Sequence, residues 1–299
     1  MADYHHGELA VQDRAGLAAA AEHARPAIRA TMPEVAKTFL AAQPVLYLGA
    51  SDGDRLWGTM LTGPPGFVQA TGDGTVRIAA RPTPADPLAA ALDGVAEVGM
   101  IAVEPGRRRR MRVNGRSRPV GDHLEIEVEQ VISNCPKYIQ QRTPLPAEGP
   151  AVRPSAGRGG ELGAAQIDRI HAADTFFVAT AGIDGAADMS HRGGNPGFVE
   201  VTGPTRLSWP DYLGNAMFLT LGNLEEQPAA GLLFPDYTTG STLHLSGTAR
   251  VDWSPDRAAR YPGAQRVVDF AVTDVVEIQG ATTWRWTAPA YSRFNPVIA

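Results

Sequence analysis

Short apolar runs broken at Gly, Asp and Thr recur along most of the chain, and their length and β-branched content read as strands. Val45–Gly49, Phe176–Ala181, Phe198–Thr202, Thr205–Trp209, Ala230–Phe234, Thr242–Val251 and Val267–Ile278 are the strand candidates. Asp52-Gly53 and Asp184-Gly185 sit between such runs as hairpin signals, because Asp-Gly accepts the positive φ angles of a tight two-residue turn. Strands this short and this regularly spaced predict a barrel or a sandwich. Helix is expected in two places. Residues 8–40 are helical in pattern, with an Ala-rich stretch over Glu8–Glu22 and Pro33 where a second helix starts. Asn223 with Glu226 three residues on is an N-cap signature, leading a short helix through Leu224–Ala229.

The pattern repeats. A segment starting at Gln43 and another starting at Asp174 both run through an apolar stretch, a Gly/Asp turn, a second stretch, G-x-P-G-F-V and a Thr-Gly turn. Phe67 matches Phe198 at an offset of 131, and Gly99 matches Gly231 and Gly115 matches Gly247 at 132. A near-constant offset over separate segments indicates an old duplication with diverged halves. Between them, residues 143–163 are rich in Pro and Gly without a hydrophobic period, and read as a linker. The expected organisation is 1–142, a helical segment plus a first, degenerate barrel; 143–163, the linker; and 164–299, a second barrel.

Composition narrows the function. The 299 residues carry a formal net charge of −5, which argues against a general nucleic-acid binder while leaving room for a local anion site. Cys135 is the one cysteine, so no internal disulfide and no multi-cysteine metal site exist. No apolar run approaches the roughly 18 residues of a membrane span, and the N-terminus has no apolar signal region. The expectation is a cytoplasmic protein without a membrane or nucleic-acid partner and without a metal. P-loop, G-x-G-x-x-G and G-x-S-x-G motifs are absent. His5 and His6 read as part of a flexible end.

Candidate chemistry falls in four segments. DMSHRGG carries Met189, Ser190, His191 and Arg192 into two glycines, where a backbone can approach a ligand and an arginine can fork onto an anion; the plainer alternative is a surface Arg beside a satisfied His. The first half has Thr59, Met60 and Leu61 at the matching places, so one site per pair of repeats is expected. In LSWPDYLGN, Trp209 and Tyr212 can wall a flat ligand and Asp211 or Asn215 can fix its polar edge, or else the aromatics are core and the polar residues form turns. In GRRRRMRVNGRSR, strand alternation puts Arg110, Arg112 and Asn114 on one face, either for an anionic partner or as a charged edge strand. Lys137 and Asn134 are candidates for a ligand's polar atoms, while Cys135 has no neighbour in sequence to activate it.

Together, GELAVQDRAG, RRRRMRVNGR, ISNCPKYIQ, DMSHRGGNPGFV and WPDYLGNAMFLTLGNLEEQPAAGLLF resemble the pyridoxamine 5′-phosphate oxidase-like, FMN-binding split-barrel family, in its long bacterial form with two barrel units. The resemblance implies a mainly β fold: two tandem six-stranded antiparallel Greek-key split barrels with short helices. FMN is held non-covalently between two barrels, which in this family usually come from a homodimer. Carried onto this chain, it makes Met189, Ser190, His191, Arg192, Trp209, Asp211, Tyr212, Asn215 and Asn223 cofactor residues. The family's oxidases carry a basic Ser-Arg-Lys-type cluster where this chain has Leu213-Gly214-Asn215, so the phosphate charge falls to Arg110, Arg112, Lys137 or Arg192. The implied activity is FMN-dependent oxidoreduction, a hydride passing to or from a small-molecule substrate, with NADH or NADPH as a reductant. His191 is the expected proton donor on the ground that histidine titrates near neutral pH. The alternative is a flavin- or haem-binding carrier or sensor without turnover, and related barrels also take deazaflavin.

Overall fold

The computed structural model describes residues 3–133, 136–145 and 153–297. Asn134 and Cys135 lie outside the described residues. The chain opens with α1 (His6–Arg14) and α2 (Ala18–Ala24), the Ala-rich stretch being split where Gly16 takes a φ of +67° that other residues resist. The short strand β1 (Ile28–Arg29) follows, then α3 (Glu34–Ala41), which starts directly after Pro33.

The first sheet is completed by β2 (Val45–Asp52), β3 (Arg55–Thr62), β4 (Val68–Ala70), β5 (Thr75–Ile78), β6 (Ala96–Glu104), β7 (Arg109–Val120) and β8 (His123–Ser133). The segment 143–163 is not featureless. It contributes β9 (Pro144–Leu145) and β10 (Ser155–Gly159), the latter an edge strand whose five residues are all exposed, which leaves no alternation for the sequence to show. Then come α4 (Ala164–Ala172), β11 (Thr175–Ala181), β12 (Ala187–Gly193), β13 (Glu200–Gly203), β14 (Arg206–Tyr212), α5 (Leu219–Glu226), β15 (Ala229–Pro235), β16 (Thr242–Asp252), α6 (Pro255–Ala258), β17 (Ala264–Gln279) and β18 (Arg285–Trp286).

The two sheets have one topology. The first runs β3-β2-β6-β7-β8-β5-β4 with β1 added on β8; the second runs β12-β11-β15-β16-β17-β14-β13 with β10 added on β17. All these pairings are antiparallel. Each sheet thus has eight strands where six are expected. Each encloses its own core, built around Leu46, Leu48, Trp57, Ile78, Leu92 and Ile126 in the first and Phe176, Val178, Trp209, Leu232, Leu245 and Phe270 in the second. The duplication extends to backbone irregularities. The β7–β8 register shifts between Asn114 and Gly115, and the β16–β17 register shifts between Ser246 and Gly247. A Cβ at Gly115 would stand 1.9 Å from the Glu127 carbonyl oxygen, and one at Gly247 would stand 2.0 Å from that of Ala271, so each bulge requires its glycine.

The barrels pack on each other about a pseudo-two-fold axis. Tyr47 pairs with Met60 and Ile101 in its sheet; Phe177 pairs with His191 and Leu233 in its own. These equivalent rings stack on each other, with centroids 3.6 Å apart. Like residues meet in this way only near a two-fold axis. Around them Val45, Met60, Ile101, Val103, Ile139, Ala179, Met189 and Leu233 form a third core shared by both halves. The approach is close enough to involve main chain. A Cβ on Gly99 would lie 2.4 Å from Asp188 Cα in β12, and one on Gly231 would lie 2.5 Å from the Leu56 oxygen and 2.8 Å from Trp57 Cα in β3. A methyl group cannot be accommodated there by rotating a side chain, because the obstacle is backbone on both sides. Gly99→Ala and Gly231→Ala are therefore each expected to destabilise by about 1–3 kcal/mol, read as a lowered urea midpoint. Gly72→Ala, with open space around it, should leave the midpoint in place.

Candidate functional site

Beside the shared core lies a cleft enclosing about 920 Å³ of empty space, part of it open to solvent. Its walls come from both halves. The first half contributes Ile101 on β6, Arg110 and Arg112 on β7, and Lys137 and Tyr138 from the segment after β8. The second contributes Ser190, His191 and Arg192 on β12, Pro210, Asp211 and Tyr212 on β14, the turn through Gly214, Asn215, Ala216 and Phe218, and the first turn of α5.

Strand alternation on β7 sets the first wall. Met111 and Val113 point into the first core, while Arg110, Arg112 and Asn114 face β12. Arg112 is buried. Its Nη1 donates to both Asp188 carboxylate oxygens at 2.8 and 2.7 Å, and its Nη2 donates to Ser190 Oγ. Asn114 Nδ2 donates to Asp188 Oδ1 at 2.9 Å, and Ser190 Oγ lies 2.7 Å from Thr220 Oγ1 on α5. Arg112 is thus paired with Asp188 and ties three elements together. Arg192 and Lys137 carry no ion pair among the described residues. Arg192 Nη1 donates to its neighbour's carbonyl, the His191 oxygen, at 3.1 Å, its Nε is buried without a hydrogen-bond partner, and burial works against its charge. Lys137 Nζ lies 5.8 Å from the centre of the Phe294 ring.

His191 is almost fully buried. Its Nδ1 lies 2.9 Å from Arg110 Nη1 and its ring packs edge-on against Phe177. Burial first, then the charges of Arg110, Arg192 and Arg142, push its pKa well below the ordinary histidine value. The imidazolium expected of a proton donor near neutral pH is therefore disfavoured. Asp211 is the one carboxylate in the cleft wall among the described residues; burial holds its carboxyl above the usual range against the opposing pull of Arg192 and Arg266.

The remaining candidates divide. Tyr212 and Asn215 line the cleft, and Tyr138, which the sequence reading did not single out, joins them. The Tyr138 and Tyr212 rings lie 5.1 Å apart at 35°, and Tyr138 Oη donates to the Leu213 oxygen at 3.2 Å. Gln140 holds this segment down, its Nε2 donating to the oxygens of Tyr138 at 3.1 Å and Gly194 at 3.1 Å. Three residues are elsewhere. Trp209 shares strand parity with Leu207 and points into the second core against Phe176 and Phe270. Met189 is buried in the shared core. Asn223 is not an N-cap: α5 starts at Leu219, four residues earlier, and 229–235 is strand, so Asn223 sits in the last turns with its Nδ2 on Thr180 Oγ1 at 3.0 Å. The expected helix over Leu224–Ala229 is corrected accordingly. His5 is also not loose. Its side chain caps α1 and its ring reaches Asn223 Oδ1 at 2.9 Å and Glu226 Oε1 at 3.1 Å.

The cleft can hold an anion with a flat portion. Arg110, Arg192 and Lys137 supply positive charge, the tyrosines and Phe198 supply apolar faces, and α5 begins at the wall with the amides of its first turn unclaimed by the helix. Strain is concentrated here too: of four non-glycine residues with positive φ among the described residues, Tyr138, Ala216 and Phe218 all line this cleft. At the pseudo-equivalent place lies a cavity of about 540 Å³, walled by Met60, Leu61, Arg81, Asp86, Thr242 and Ala281 among others. There Thr242 and His244 stand where β7 has Arg110 and Arg112, and Leu61 stands for Arg192.

Residues 163–287 match the family model described as pyridoxamine 5′-phosphate oxidase. The match falls on the second barrel. Solved structures with a similar unit include HupZ of Group A Streptococcus, at 14% identity over 37% of this chain and 89% of its own, TM-score 0.31. An FMN-binding protein of Syntrophomonas wolfei shows 9% identity over 37% and 80%, TM-score 0.29. A Clostridium acetobutylicum protein related to general stress protein 26 shows 15% identity over 35% and 78%, TM-score 0.25. No curated protein sequence matches the chain. Among the described residues no helix is long and apolar enough to cross a membrane.

The wall formed by α5 is braced from behind by α1. Gly7 and Gly222 let the two helices touch, Gln12 Nε2 donates to the Met217 oxygen at 3.1 Å, and Glu8 is buried between them. Burial raises the Glu8 carboxyl from 4.5 to about 7, with His5 opposing and Asp188 adding to the rise. The folded protein then binds more protons than the unfolded chain between about pH 4.5 and pH 7, so Glu8's contribution is complete below that window and is lost as pH rises through it. Glu8→Gln, which keeps the shape and removes the charge, should raise stability at pH 8 by on the order of 2–3 kcal/mol and change it little at pH 4. Denaturant midpoints at the two pH values check this; equal changes at both would contradict it.

Proposed function

We propose that the cleft holds FMN and that the protein is a flavin-dependent oxidoreductase acting on a small organic substrate. The observation that carries this reading is the cleft wall: cations from both halves meet beside a tilted pair of tyrosines in a chain whose second barrel matches the pyridoxamine 5′-phosphate oxidase family. Bound flavin supplies hydride acceptance and donation. The chain's part is to bind, orient and shield. Lys137 and Arg192, which no carboxylate within the described residues neutralises at close range, meet the phosphate charge; Tyr138 and Tyr212 offer faces to a flat ring; the strap through Gln140 keeps the first-half residues in place. Because both barrels come from one chain, the cleft needs no second copy, and a homodimer is an assembly of completed sites.

The phosphate assignment is tested by comparing FMN with riboflavin, which lacks the phosphate. A charge-assisted hydrogen bond contributes about 1.5–3 kcal/mol, or roughly 10- to 150-fold in affinity. Lys137→Met and Arg192→Met should each weaken FMN by about that factor in a fluorescence titration and leave riboflavin nearly unchanged. A wild-type protein that takes up no FMN overturns the reading. One specific observation favours the carrier or sensor alternative: His191, neutral and held by Arg110, offers no ready acid. Anaerobic bleaching of the bound flavin by NADH or NADPH favours the oxidoreductase; a flavin that neither nicotinamide reduces favours the carrier.

A further inference from the structure

An arginine guanidinium has five N–H donors and no acceptor. Arg110 Nη1 lies 2.9 Å from His191 Nδ1, so the ring nitrogen accepts and carries no proton. With Nδ1 bare, the ring's proton sits on Nε2. The ring cannot easily turn to change this. Phe177 lies edge-on to it at 5.5 Å, and Gly193 is so near that a Cβ there would stand 3.1 Å from His191 Cε1. His191 lines the cleft, and its Nε2 makes no hydrogen bond within the described residues.

We propose that Arg110, from the first barrel, fixes His191 of the second as an Nε2–H donor to the cleft's ligand, so that the site selects a ligand presenting an acceptor there, a carbonyl or carboxylate oxygen or an unprotonated ring nitrogen. Arg110 is then a positioning residue that acts through His191. Of the other polar groups, Arg192 and Lys137 are donors only, while the hydroxyls of Ser190, Thr220, Tyr138 and Tyr212 and the Asn215 amide can donate or accept. Asp211 is the carboxylate of the wall among the described residues, and its Oδ2 lies 3.7 Å from Arg266 Nη1. The pseudo-equivalent cavity lacks the device, since Met60 stands for His191 and Thr242 for Arg110. The tautomer depends on no ligand; its consequence for ligand choice rests on reading the cleft as the flavin site.

The tautomer can be read directly by long-range proton–nitrogen correlation NMR on the full-length protein with nitrogen-15-labelled histidine. The peaks of His191 are assigned by their loss in His191→Gln, or by elimination with single variants of the other histidines. The expected spectrum at pH 7 shows one pyrrole-like nitrogen, Nε2, and one pyridine-like nitrogen, Nδ1. A protonated Nδ1, a mixture of tautomers or an imidazolium overturns the proposal. In Arg110→Met the preference should relax toward a mixture. The ligand half is tested by FMN affinities in Arg110→Met, His191→Phe and the double variant. Each single change should weaken binding by about 2- to 10-fold, and the double variant should be no weaker than His191→Phe. Additive losses would mean that Arg110 meets the ligand itself and would overturn the relay. A wild-type protein that takes up no FMN overturns the flavin reading and the ligand half together, while the tautomer measured without ligand still decides whether Arg110 sets the ring.

Discussion

At Gly99 the main chain of β6 lies against the main chain of β12 at Asp188, and at Gly231 β15 lies against β3 at Leu56 and Trp57 in the matching way. This reciprocal backbone approach sets the distance between the two barrels. With the barrels so close, Tyr47 and Phe177 stack across the axis, β7 comes within side-chain reach of β12, and the cleft acquires walls from both halves. A pair of identical barrels would build two equivalent clefts. Joining them in one chain frees each cleft to diverge, because a substitution in one half alters the two clefts differently. One kept Arg110, Arg112, His191 and Arg192; the other has Thr242, His244, Met60 and Leu61.

The buried Arg112–Asp188 pair shows how that divergence was used. Removing both charges from water is costly, and such a pair contributes little net stability compared with apolar packing, yet breaking it by removing one partner costs about 3–5 kcal/mol. Its geometry fixes β7 on β12 and, through Ser190 and Thr220, the start of α5. An arginine of the first barrel is thereby spent on alignment. Arg192 and Lys137 carry no ion pair among the described residues, and Arg110 donates to the His191 ring. The braces behind α5 work in the same sense: His5, Glu8 and Gln12 hold the helix whose first turn forms one wall.

Much of the architecture is legible in the sequence because it is written in local terms. The constant offset of Gly99 and Gly115 from Gly231 and Gly247 marks the duplication, and those glycines turn out to be the positions where backbone meets backbone. The alternation of Arg110, Arg112 and Asn114 gives the correct shared face, since strand geometry has a period of two. What the sequence hides is which partner each side chain meets. Arg112 reads like Arg110 until Asp188 is placed opposite it. Trp209 and Tyr212 look alike as aromatic walls, but Trp209 is enclosed in the second core while Tyr212 lies at that core's margin and lines the cleft. Asn223 has the composition of a helix cap, and only the left-handed turn at Phe218 shows that the helix has already begun. His5 seems remote because its partners lie more than two hundred residues away.

The central claim is that two barrels of one chain build one flavin site, with Thr242, Met60 and Leu61 standing at the pseudo-equivalent cavity in place of Arg110, His191 and Arg192. Calorimetric titration of the full-length protein with FMN tests it most directly. The account predicts saturation at one FMN per chain. Saturation at two per chain, or at one for every two chains, would contradict it.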